Sequence, residues 1–167
     1  MILWRISNYE DLRGLGGLKV AGRWHHAGRP VVYLAEHPAL ALLETLVHLE
    51  IRSLEDLPDT YKLLRVEAPD SIDIAQSQPP ANWQSSLTLT RSLGDAWLAA
   101  APTALMRVPS VLVPGHNTLL NPLHPDARNI AIAEILNWPF DPRLAGGIRA
   151  DAAETSPPAS APLQGTP

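Results

Sequence analysis

Four side chains in this sequence have the chemistry to act on a charged organic substrate. Arg23, in Gly22-Arg23-Trp24, can give paired charge-assisted bonds to an anion. Glu44, in Pro38-Ala-Leu-Ala-Leu-Leu-Glu44, can stabilise developing positive charge or move a proton. Tyr33 offers a flat ring face with a hydroxyl, and Ser110 a small hydroxyl between Pro109 and Val111. Each also has an ordinary explanation. At about 100° per residue, Glu44 falls at the border of the apolar arc of Leu40, Val47 and Ile51, while Glu50 falls deeper in it. Periodicity therefore favours a boundary glutamate with its head in water. Arg23 fits a surface arginine stacked on its neighbour, Tyr33 a core residue and Ser110 a small strand residue.

Two further patterns carry less. Gly14-Leu-Gly-Gly17 lacks the GxxxxGK[ST] spacing of a phosphate loop, and no strand is expected before it, so ordinary turn glycines are the better reading. The six histidines include no HExxH pair, and the chain has no cysteine, so a metal centre is not expected.

The elements that must position these residues alternate without a regular βαβ rhythm, which points to an α+β fold with a mixed sheet and flanking helices. Val31–Ala35, β-branched and aromatic between Pro30 and the Glu36-His37-Pro38 break, reads as a strand. Lys62–Ala68 and Leu105–Val113 read likewise. Pro109 pushes the latter toward an edge or a bulge, because it cannot donate to a ladder. Asn129–Leu136 alternates and is a strand candidate, with a helix as the alternative. Pro38–Ile51 is the clearest helix, opened by Pro38 and rich in Leu and Ala, and Leu89–Ala101 is a second. Gly14–Gly17 and the polar Gly115–Pro125 segment read as loops.

Length and composition set the outer bounds. A chain of 167 residues with 46% apolar and 18% charged residues makes one domain with a real core. It is expected over residues 1–149, followed at 150–167 by a Pro/Ala-rich tail too poor in large apolar groups to offset its ordering entropy. The net charge of −4 offers no electrostatic footprint for nucleic acid. No apolar run approaches the ~18 residues that span a bilayer, and no apolar signal core follows Met1. A soluble, cytoplasmic protein is the expectation.

Taken together, the motifs resemble the RES domain family. The resemblance runs in order through Leu3-Trp-Arg-Ile-Ser7, Gly22-Arg-Trp24, Gly28-Arg-Pro-Val-Val-Tyr-Leu-Ala-Glu36 and Pro38–Glu44. It continues through Gly94-Asp-Ala-Trp97, Val108-Pro-Ser-Val111, Asn117-Thr-Leu-Leu-Asn-Pro-Leu-His-Pro-Asp126 and Phe140-Asp-Pro-Arg143. It implies an ADP-ribosyltransferase-like fold and a toxin that cleaves NAD⁺ at the nicotinamide–ribose bond, passing ADP-ribose to a protein, phosphate or water. It places Arg23, Tyr33, Glu44 and Ser110 in the catalytic set, with Gly22, Arg23, Trp24 and Tyr33 toward the dinucleotide and no metal required. It also implies a cognate Xre-like, helix-turn-helix antitoxin that covers the active site and makes any DNA contact itself. Many relatives carry asparagine where this chain has His25. The alternative reading is a catalytically inert module of the same fold that binds a nucleotide or a protein.

Overall fold

The computed structural model describes residues 1–49, 60–137 and 141. Its centre is a seven-stranded mixed sheet. In chain order the strands are β1 (Ile2–Ser7), β2 (Val32–Ala35), β3 (Lys62–Glu67), β4 (Ile74–Gln76), β5 (Leu105–Pro109), β6 (His116–Leu120) and β7 (Ala131–Leu136). In space they run β4-β5-β6-β2-β1-β3-β7. Every pairing is antiparallel except β4 with β5. Three helices accompany them: a single turn α1 (Gly16–Lys19), α2 (Pro38–His48) and α3 (Leu87–Ala100). The α+β expectation holds, with a mixed sheet and few helices among the described residues.

Alternation along the strands sorts the core into two faces. Val32 and Leu34 point to one face and bury there with Leu3, Leu64, Val66, Leu105 and Leu120. The opposite face is shared by the two long helices. Helix α3 covers the β5–β6 side, where Trp24, Trp83, Trp97, Met106, Val108 and Leu119 pack. Helix α2 covers the β1–β2 side through Leu40 and Ala41 against Ala35, Trp4 and Ile6. Tyr33, between Val32 and Leu34 in sequence, belongs to this helix-covered face. So does Asn117, opposite Ala35 in the β2–β6 register.

Local chemistry explains where the helices begin. His37 accepts the Ala39 N–H at the start of α2, with Pro38 in the first turn. Ser86 caps α3 by accepting from Leu89 N–H, and Ala101 in the left-handed region ends it.

Several expectations change. The Gly115–Pro125 segment is not all loop: its first half is β6, paired on both sides with β2 and β5. Its polar residues misled because Asn117 faces the helix-covered side, while Leu119 and Leu120 are fully buried. Strand β5 stops at Pro109 rather than Val113. It lies inside the sheet, and Pro109 is tolerated because β4 reaches only as far as Arg107. The alternating Asn129–Leu136 run is the edge strand β7. Strands β1 and β4 carry no expectation from sequence, and β1 does precede the glycine run. That run becomes a turn at Gly14 (φ +65°) leading into α1. Helix α2 runs to His48 with Leu49 as its C-cap, where Pro38–Ile51 is expected; residues 50–51 and the 150–167 tail lie outside the described residues. No helix among those described is long and apolar enough to cross a membrane.

Gly94 is where α3 meets the chain that precedes β2. A Cβ there would stand 1.6 Å from the Trp24 carbonyl oxygen, a backbone atom that cannot swing aside. Gly94→Ala is therefore expected to cost about 3 kcal/mol, read as a lowered urea midpoint. Gly16→Ala, with nothing within 4 Å of the added carbon, is the control and should stay within about 0.5 kcal/mol of the parent.

Candidate active site

Glu44 projects from the middle of α2 across the sheet face. Its carboxylate is not left in water, as periodicity alone favoured. Oε1 accepts from the Ser110 hydroxyl at 2.8 Å and from the Asn117 side-chain amide at 2.7 Å. Both bonds fall on one oxygen, so Oε2 has no partner among the described residues. Ser110 lies one residue beyond β5, at the head of the turn to β6. There its amide donates to Gly115 O, and its hydroxyl also accepts the Leu112 N–H. The carboxylate is thus tied to the end of β5 and the start of β6 by side chains from three elements. Glu50, the rival acidic residue, lies outside the described residues.

Asn117 carries no candidate role in the sequence reading, which placed it in a loop. The signal that could have found it is the polar residue two before the buried Leu119 on an alternating strand. In the register, Tyr33 faces Leu119 and Ala35 faces Asn117. Tyr33 and Asn117 are therefore diagonal neighbours on one face, roughly 7–8 Å apart at their Cα atoms.

The Gly22–Trp24 segment crosses above Tyr33 as a strap, tied at almost every polar atom. Trp24 N–H donates to the Tyr33 hydroxyl at 3.0 Å. Gly22 O accepts from Arg91 Nε at 2.9 Å, and Arg23 O accepts from the Thr90 hydroxyl at 2.6 Å, both on α3. Thr90 is fully buried, a place a hydroxyl occupies only when its hydrogen bond is made. Gly22 is needed for close approach: a Cβ would come within 2.5 Å of the Tyr33 hydroxyl oxygen. Next along the chain, His26 holds Asp95 through its amide and Nδ1.

The predicted residues divide by what they present. The Arg23 guanidinium is half-buried and donates one bond from Nη1 to Gln84 O at 3.1 Å. Its other N–H groups have no partner among the described residues. Tyr33 is half-buried, and burial pushes its phenol well above the usual range, so it stays protonated and neutral. Trp24, expected to face the dinucleotide, has its ring in the core, 5.4 Å from the ring centre of Trp83. It offers the site only backbone. Tyr33, Glu44 and Ser110 are thus brought to one sheet face, with Tyr33 beside the Glu44–Asn117 pair, while Arg23 sits on the strap that crosses Tyr33. Among the described residues no cluster of three His, Asp or Glu side chains comes together.

A cleft of about 390 Å³ opens on the far side of the β5–β6 turn, lined by Leu40, Leu43, Val113, Gly115 and His116. It touches neither Arg23 nor Glu44. Leu43 and His116 are the chain neighbours of Glu44 and Asn117.

Comparison with known proteins agrees with this architecture. The family model described as the RES domain matches residues 2–141. A protein named Toxin Res from Pseudomonas putida is 50% identical over 148 residues, which cover 86% of this chain and 99% of that protein. A protein named Prs ADP-ribosylating toxin from a Sphingobium species is 38% identical over 156 residues, 84% of this chain and 94% of that one. Among solved structures, a chain of the M. tuberculosis MbcT–MbcA toxin–antitoxin complex superposes with a TM-score of 0.65 at 16% identity, covering 90% of this chain and 89% of its own. At that identity the likeness is one of fold. The family match and the two sequence relatives leave one conclusion: the chain belongs to the RES domain family.

Proposed function

We propose that this protein is the toxin of a toxin–antitoxin pair, acting by cleavage of the nicotinamide–ribose bond of NAD⁺ and transfer of ADP-ribose to an acceptor. The observation that carries the proposal is the Glu44 carboxylate, with Oε1 held by Ser110 and Asn117 and Oε2 without a partner among the described residues, on the face that also bears Tyr33. The relatives named as toxins, one of them as ADP-ribosylating, support the same reading.

The chemistry follows from charge. Nicotinamide in NAD⁺ is a cationic ring. It departs neutral, taking the bonding electrons of the C–N bond, and the ribose carbon takes up the positive charge. A fixed carboxylate beside that carbon stabilises the oxocarbenium-like transition state, as in glycosidases. Glu44 Oε2 is the oxygen for this task, and it can also take the proton of an incoming hydroxyl. Ser110 and Asn117 hold the carboxylate at the right place before the substrate arrives, so little reorganisation is left for the reaction itself. Arg23 supplies charge-assisted donors to the diphosphate, and Tyr33 a neutral face for the departing ring. The net charge of −4 does not oppose an anionic substrate, because charges beyond ~8–10 Å are screened and Arg23 acts at contact.

Such an activity must be restrained in its own host. We extend to this chain the arrangement named for its fold neighbour, a toxin bound to its antitoxin. A helix-turn-helix, Xre-like partner that closes off Arg23 and Glu44 would do so, and co-expression with it should restore the growth that the toxin alone arrests.

Purified protein is expected to release nicotinamide from NAD⁺. Glu44→Gln keeps the size and an oxygen for Ser110 and Asn117 but removes the charge, and should lower kcat about 100-fold or more. Arg23→Ala should act mainly on KM, and Arg23→Lys should not restore it, since a point charge lacks the planar pair of donors. Ser110→Ala and Asn117→Ala each remove one bond to the carboxylate and should cost about tenfold in kcat. Unchanged release by Glu44→Gln would end the proposal. Mass analysis of products formed with and without phosphate and lysate then separates free ADP-ribose, its phosphate ester and a modified protein.

A further inference from the structure

We infer that His25, in the neutral form with its proton on Nε2, is a positioning residue: its Nδ1 lone pair holds the Gly22 amide and the Tyr33 hydroxyl, and so fixes Arg23 relative to Tyr33. The inference rests on the reading of the site given above.

The assignment comes from counting donors and acceptors. His25 is 3% exposed. The Tyr33 hydroxyl already accepts the Trp24 N–H, and its own proton points to the nearest further partner, His25 Nδ1 at 2.9 Å. Gly22 N–H also reaches Nδ1, at 3.2 Å, while shared with His25 O at 3.1 Å. An amide N–H can only donate, so Nδ1 must be an acceptor, and the ring proton sits on Nε2. Nε2 closes no hydrogen bond of ordinary geometry among the described residues. The backbone of Gly17 lies against Nε2. Arg91 and Thr90 fasten the carbonyl side of the strap, and His25 fastens its amide side.

Protonation undoes this. A second proton, on Nδ1, would displace the Gly22 N–H from that nitrogen, leaving it only His25 O, and would oblige the Tyr33 O–H to turn away and accept instead of donate. The groups around the ring pull both ways. Asp95 on α3 and the Gly17 and Val20 carbonyls favour the cation, Arg91 opposes it, and burial outweighs them all, holding His25 below the ordinary histidine value. His26, beside it in sequence, is engaged with Asp95. Tyr33 stays neutral throughout. Both bonds to Nδ1 are therefore present above the ordinary histidine pKa and are lost as pH falls through the lowered one.

The test compares the full-length wild type with two variants. His25→Asn can present an amide oxygen to both donors and does not titrate. His25→Leu fills the volume without an acceptor. Nicotinamide release is followed from about pH 5 to about pH 8, and the ring proton is located by a long-range ¹H–¹⁵N spectrum of histidine-labelled protein. Expected are the Nε2-protonated form in the wild type, a loss of about 30-fold at pH 8 in His25→Leu with its fold intact by circular dichroism, and restoration to within about threefold in His25→Asn. The wild type should also lose activity in acid along a limb that His25→Asn lacks. A proton on Nδ1, full activity in His25→Leu, or an unchanged acid limb in His25→Asn would each overturn the inference. If no wild-type release is seen, the enzymatic reading fails separately. The positioning claim is then judged by the ring spectrum and by whether the Gly22 and Trp24 amide signals shift in His25→Leu but not in His25→Asn.

Discussion

The pairing of β2 with β6 sets Tyr33 opposite Leu119 and Ala35 opposite Asn117, and the site is built on that register. A slip of one residue would turn Tyr33 and Asn117 through the sheet to the other face. What forbids the slip is apolar. Val32, Leu34 and Leu120, each at most 2% exposed, would have to exchange their dry packing for the polar side. At about 1.5–3 kcal/mol for each buried aliphatic side chain, no polar contact at the site competes with that preference. The polar residues of the candidate site are held by apolar residues that lie outside it.

On this platform the site is assembled from segments far apart in sequence. Helix α2 brings Glu44, the turn after β5 brings Ser110, β6 brings Asn117, and the strap before β2 brings Arg23. The strap has no regular structure of its own, so its backbone groups must find partners elsewhere. They find Thr90 and Arg91 on α3 and the His25–Tyr33 pair. The same fastening explains two glycines: Gly22 lies against the Tyr33 hydroxyl, and Gly94 lies against the Trp24 carbonyl. A strap fixed on both sides leaves its guanidinium as the part free to meet a ligand.

Engaged and unengaged groups complement one another. Glu44 spends one oxygen on Ser110 and Asn117 and keeps the other. Arg23 spends one N–H on Gln84 and keeps the rest. Under the proposed function, the fixed half would set the geometry and the other half would meet the substrate.

The sequence by itself determined the α+β class, the strands expected at Val31–Ala35 and Lys62–Ala68 to within one residue at an end, the bodies of the two long helices, and, through the ordered motifs, the resemblance to the RES domain. Those features are written in local propensity and in motif order, which a linear string can carry. It did not determine that Gly115–Pro125 holds a central strand, that Trp24 turns its ring into the core, or that Glu44 is claimed by Asn117 and Ser110. Periodicity along α2 weighs Glu44 only against its own helix, and on that scale the residue looks like a solvated boundary. Only the tertiary structure brings residues 66 and 73 positions away to its oxygen, because hydrogen bonding depends on distance in space and a helical wheel has no term for it.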